Sequence, residues 1–174
     1  MSSHILWQER TFHFDFPVAL HREILERLRG TPARVEERVT TFPPEILTLR
    51  LDDRWSIQEH AGHLANVESL FMHRLDEYEA GAQTLRAADM RNVATWDANH
   101  NAKTSAEVVA EVRRARSAFV RRLEKLHAEA FARSAFHPRL RRQMRLVDMM
   151  LFLAEHDDYH LARITELSRA LTGE

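Results

Sequence analysis

The chain has 174 residues, a formal net charge of −1 and 29% charged side chains. That length suits one domain, 1–174, with a sizeable core, and the charge balance excludes a global drive toward nucleic acid or anionic membrane. No cysteine is present, which excludes disulfides, thiolate nucleophiles and thiolate zinc sites. No run of about 18 apolar residues occurs, so no membrane span is expected. The start, MSSHILWQERTF, lacks the basic, apolar and small-residue blocks of a signal peptide, and the expected compartment is the cytoplasm. Four glycines and five prolines leave few turns, which favours helices with short connections.

Phe12, Phe14 and Phe16 alternate, as in an extended segment, and read as an N-terminal arm packed on helices. Helical pattern follows over about 17–29. Gly30 interrupts it, with Thr31 as candidate N-cap and Pro32 at the first helical position. One kinked helix or two short ones both fit. FPPEILTLRLDDR reads as a connector. Ser56 then opens a helix through a capping box with Glu59, and Ile57, Ala61, Leu64, Phe71, Leu75 and Tyr78 form its apolar stripe. Gly81 stands where a left-handed cap belongs. The polar stretch LRAADMRNVATWDANHNAK is long for a loop and is expected to carry function or a short helix. Thr104 and Glu107 form a second capping box, leading a helix with Val109, Val112, Phe119, Leu123 and Leu126 inside. A connector around AFHPRLRRQ precedes a last helix over about 146–171. The predicted fold is all-α: a four-helix bundle with a short extended N-terminal arm.

Of eleven histidines, His4, His13, His21, His73, His127 and His137 are expected on outward faces. His100 is a candidate for a pocket mouth. His156 and His160 stand four apart on the apolar stripe of the last helix, one above the other, so both imidazoles reach one metal ion. The third ligand must come from elsewhere. His60 projects near the middle of the apolar arc of its helix and His63 at the flank, and periodicity slightly prefers His60. The HExxH pattern of zincins is absent, since Asp157, Asp158 and Tyr159 separate the pair. Glu59 reads first as a cap and second as a supporting or basic group.

Trp55-Ser56 at a helix start, His63 eight residues after the Trp, and the run His156-Asp157-Asp158-Tyr159-His160 together resemble the DinB-like (damage-inducible) superfamily over about 25–171. That superfamily includes bacillithiol- and mycothiol-dependent transferases. The resemblance implies a four-helix bundle, often dimeric, with His63, His156 and His160 as ligands of one divalent metal: nickel, zinc or iron. It makes His60 a supporting or core residue. It also implies a small-molecule substrate, with a low-molecular-weight thiol as one candidate partner, and either hydrolysis or thiol-dependent transfer as the reaction. A metal-binding or stress-response protein without turnover is the alternative, and a structural helical dimer without metal is a third.

Glu68 and Arg116 interrupt the apolar stripes of their helices and are expected to pair across the bundle, because buried charges need partners. Asp157 is a candidate partner for a ligand imidazole. The basic clusters at Arg113-Arg114, Arg121-Arg122 and 139–145 read as a solvated face, with no accompanying nucleic-acid module.

Overall fold

The computed structural model describes residues 5–52 and 54–173. His4 and Asp53 of the first connector therefore lie outside the described residues. A 3-10 turn, Trp7–Glu9, and an extended arm precede α1 (His21–Arg29) and α2 (Thr31–Val39). Short α3 (Pro44–Leu47) leads to α4 (Ile57–Glu79), short α5 (Val93–Asp97) and α6 (Ser105–Leu123). A hairpin of β1 (Ser134–His137) and β2 (Arg142–Arg145) then feeds α7 (Leu146–Thr172). α4 packs on α6 and α7, and α1 and α2 close a four-helix bundle against both. Among the described residues no helix is long and apolar enough to cross a membrane.

Both capping boxes form. The Ser56 amide donates to Glu59 at 2.9 Å while the Glu59 amide donates to Ser56 Oγ at 3.1 Å. Thr104 and Glu107 repeat the exchange at 2.7 and 3.2 Å. Gly81 takes the left-handed φ of +70° expected of it. The arm packs as expected: Phe12 and Trp7 lie 4.9 and 5.0 Å from Phe152 of α7, and Arg145 donates to the carbonyls of Phe14 and Phe16.

Three expectations are corrected. Thr31 is not a cap: Gly30 keeps helical angles, φ −77° and ψ −14°, so Thr31 lies inside the helical run and its hydroxyl donates to Asp157 at 2.7 Å. The connector after α6 contains the hairpin, in antiparallel register Ser134↔Arg145 to His137↔Arg142. Its left-handed turn residue is Arg141, φ 51°, not the glycine or asparagine that marks such turns in sequence. The first connector contains α3, and the long polar stretch contains α5, as the short-helix expectation allowed.

The core divides into two apolar clusters. One joins the arm, Leu28, Phe71, Phe119 and Leu153; the other joins Val35, Leu64, Val112 and Leu161. Between them lies a buried polar layer drawn from all four arms of the bundle. Arg116 Nε donates to Glu68 at 2.9 Å, Nη1 and Nη2 to both oxygens of Asp157, and Nη1 to the Leu28 carbonyl at 3.2 Å. Pro32 explains the last contact. It has no N–H to offer the carbonyl four residues back, and Arg116 takes that acceptor. The expected Glu68–Arg116 pair is thus present, but Asp157 shares the guanidinium.

Removing one member of a buried ion pair leaves a charge unpaired, at a cost of about 3–5 kcal/mol. Asp157→Ala is expected to lose about that much in urea unfolding; a loss under about 1 kcal/mol, as at a surface pair, would contradict the layer's role. Burial pushes the Glu68 carboxyl up to about 7, with Asp157 adding to it and Arg116 opposing. A raised folded value favours the folded state at low pH, fully below about 4.5, and this contribution is lost as pH rises through about 7. Glu68→Gln should therefore flatten the decline in urea midpoint between pH 4.5 and 7; an unchanged slope would contradict it.

Candidate metal centre

α7 presents His156 and His160 toward α4, whose first turns carry His60 and His63. His156 Nε2 lies 3.3 Å from His63 Nε2 and 3.2 Å from His160 Nε2. One nitrogen from each of His63, His156 and His160 falls within 4.8 Å of the others, and all three side chains are buried. The structure therefore brings together the three residues that the family resemblance selects.

His60 does not join them. Its Nδ1 lies 2.9 Å from His160 Nδ1, so it backs His160 from behind. His63 is backed by Thr95, whose hydroxyl lies 2.8 Å from its Nδ1. Thr95 belongs to α5, and no spacing in the sequence singled it out. His156 Nδ1 is buried without a hydrogen-bond partner among the described residues.

Burial pushes His156 down to about 3, with Arg116, Arg139 and His60 adding to it. Burial also holds His63 and His160 well below the usual imidazole range. All three are neutral at pH 7, the form that binds metal. A proton on Nδ1 of His63 and His160 satisfies the contacts to Thr95 and His60 and turns bare Nε2 lone pairs toward His156. With the His156 proton on Nδ1, three Nε2 lone pairs face one another in a buried site, the arrangement that a shared cation relieves, and the donor set fits a divalent ion of the zinc, nickel or iron type.

Aromatic rings wall the cluster. Trp55 lies 4.7 Å from His63 and 6.0 Å from His160, Trp7 lies 5.0 Å from His156, and Tyr159 lies 5.1 Å from His160. The cluster opens on a cavity of about 620 Å³ that also reaches Leu70, Met90, His137 and Arg139.

Other expected roles resolve differently. His13, His73 and His127 are exposed, and His21 is half-buried, stacked 4.0 Å from Phe131. His137 is not on an outward face: it is 1% exposed and lines the cavity. Asp157 does not orient a ligand imidazole, because Arg116 and Thr31 take its oxygens. Glu59 caps α4 and binds Arg50; against the opposing effect of burial, Arg50 and the Ser56 amide hold its carboxyl below the usual range. The basic clusters lie mostly on a solvated face, as expected: Arg113, Arg114, Arg121, Arg141 and Arg142 are exposed, while Arg113 pairs with Glu36, Arg122 with Asp76 and Glu79, and Arg145 with Asp148.

His100 is not at a pocket mouth. It is fully buried, its Nε2 lies 2.5 Å from Asn66 Oδ1, and its ring packs on Gly62 between His60 and His63. A Cβ at Gly62 would lie 2.3 Å from that ring. Gly62→Ala is expected to cost about 1–3 kcal/mol in urea unfolding; an unchanged midpoint would show that His100 yields freely.

Fold and site together define a helical bundle with three convergent histidines at the end of a pocket. A family model described as the DinB superfamily matches residues 27–164, and the chain belongs to that superfamily. The chain is also similar in structure to Bacillus subtilis YfiT, described as "a probable metal-dependent hydrolase with an unusual four-helix bundle topology". That match has 18% identity, a TM-score of 0.75 and coverage of 94% of each chain. No curated protein matches the chain.

Proposed function

We propose that this chain is a metal-dependent enzyme, acting as a single 1–174 domain, in which His63, His156 and His160 hold one nickel, zinc or iron ion. The observation that carries the reading is that three buried, neutral imidazoles bring one nitrogen each within 4.8 Å of the others. The adjoining cavity favours catalysis over a purely structural site, since structural centres are closed on all sides. The description of YfiT as a probable metal-dependent hydrolase supports the hydrolytic branch, and the family resemblance supports thiol-dependent transfer as the second.

When bound, the ion supplies Lewis acidity toward a carbonyl, a water or a thiol. The chain's own residues do the rest. Thr95 and His60 fix the rings of His63 and His160 through Nδ1. Trp7 and Trp55 wall the cluster, against His156 and His63 respectively. The protein has no cysteine, so a thiol would enter as a low-molecular-weight partner of the small substrate. A cytoplasmic homodimer completes the reading.

Metal analysis of protein purified without an affinity tag tests it. About one equivalent of a divalent ion is expected, and His156→Ala should abolish most of it. Less than about half an equivalent, unchanged by His156→Ala, would overturn the site. Activity found in a screen of hydrolysable substrates, with and without thiols, and unchanged by His63→Ala would overturn metal catalysis.

A further inference from the structure

The cavity wall formed by Arg74, His137 and Arg139 carries cationic and donor groups that the metal centre does not use. Arg139, in the loop of the hairpin, sits over Trp7 and Phe152, its guanidinium carbon 5.6 and 5.3 Å from their ring centres. Its Nη1 is buried with no hydrogen-bond partner among the described residues. His137, 1% exposed and 5.5 Å from Phe152, is in the same condition at Nε2. The tautomer of His137 follows from its other nitrogen. Nδ1 accepts the Leu140 amide at 3.2 Å, so the neutral ring carries its proton on Nε2. Arg139 Nη1 and His137 Nε2 are thus two buried donors without acceptors on one cavity.

Arg74 adds charge beside them. It is 1% exposed, lines the same cavity, and spends Nε and Nη2 on the Arg86 carbonyl. Among the described residues no carboxylate lies within 4.0 Å of the guanidinium of Arg74 or Arg139. Among the described residues one carboxylate lines the cavity, that of Asp89, and it accepts the amides of Arg91 and Val93 at 3.0 and 2.8 Å. Uncompensated buried donors are costly, and buried cations more so, unless an acceptor meets them. Trp7 touches both Arg139 and His156, which puts this cluster next to the three histidines.

We propose that Arg139, His137 and Arg74 form an oxyanion subsite that takes the carboxylate or phosphate of a small ligand whose apolar body lies along Trp7 and Phe152. The planar two-donor edge of Arg139 and the N–H of His137 suit the oxygens of such a group. That this ligand is the substrate, presented with its reactive end at the three histidines, rests on the function proposed above. Oxyanion binding itself does not.

Isothermal calorimetry on chelator-stripped wild-type protein tests it, using benzoate, phenyl phosphate and neutral benzamide at one ionic strength. At least one anion is expected to bind about tenfold or more tighter than benzamide. A benzoate preference assigns a carboxylate, and a phenyl phosphate preference assigns a phosphate. Arg139→Gln should reduce the preference by about tenfold. His137→Phe, which keeps the aromatic contact with Phe152, should reduce it as well and carries the test if Arg139→Gln fails to fold by circular dichroism. Equal binding of all three ligands, as water on these donors would give, overturns the proposal, and so does a preference that survives both substitutions. Because no metal is present, an anion preference in protein that takes up no ion leaves the subsite standing and the metal reading fallen. Metal uptake without an anion preference means the reverse.

Discussion

One guanidinium organises this bundle. Arg116 lies in the middle of α6 and binds Glu68 of α4, Asp157 of α7 and the Leu28 carbonyl of α1, while Asp157 also accepts Thr31 of α2. Apolar clusters lie on either side of this layer. A hydrophobic stripe tolerates sliding by a turn, because one leucine replaces another at little cost. A buried charge layer does not, because each slipped register strands an ion without its partner. Such a layer generally adds no more stability than an apolar one of equal volume, and its contacts here tie the four arms together at one level.

That alignment is what the site uses. Asp157 follows His156 directly and precedes His160 by less than one turn, so the contact that locks α7 also sets where both imidazoles point. Glu68 lies five residues beyond His63 on α4. Fixing Glu68 against Arg116 therefore fixes the height of His63 against His156. The supporting contacts come from elsewhere: Thr95 from α5, His60 from the first turns of α4, Trp7 from the arm. The bundle helices set the convergence and supply His60, and the less regular segments add Thr95 and Trp7 around it.

Much of this was legible in the residues. Capping boxes at Ser56 and Thr104 are local devices, satisfied within four residues, so sequence alone reveals them. Apolar stripes show the four arms, and the intrusion of Glu68 and Arg116 into those stripes revealed their pairing. Asp157 as the shared partner was not legible, since one guanidinium accommodates two carboxylates only through three-dimensional placement. Among the histidines, periodicity favoured His60. The family resemblance favoured His63, and the structure places His63 with the other two and His60 behind them. His137 and Arg139 looked like surface residues because they lie in a polar connector. A hairpin turn built on Arg141 rather than glycine concealed that this connector folds back onto the cavity.

The proposed function depends on three imidazoles sharing one ion. X-ray absorption spectroscopy on untagged, metal-loaded protein reads that directly. Scattering from three imidazole rings in the metal's first shell is the predicted result, falling to two in His63→Ala. A first shell of oxygen alone, or an imidazole count unchanged by His63→Ala, would contradict it.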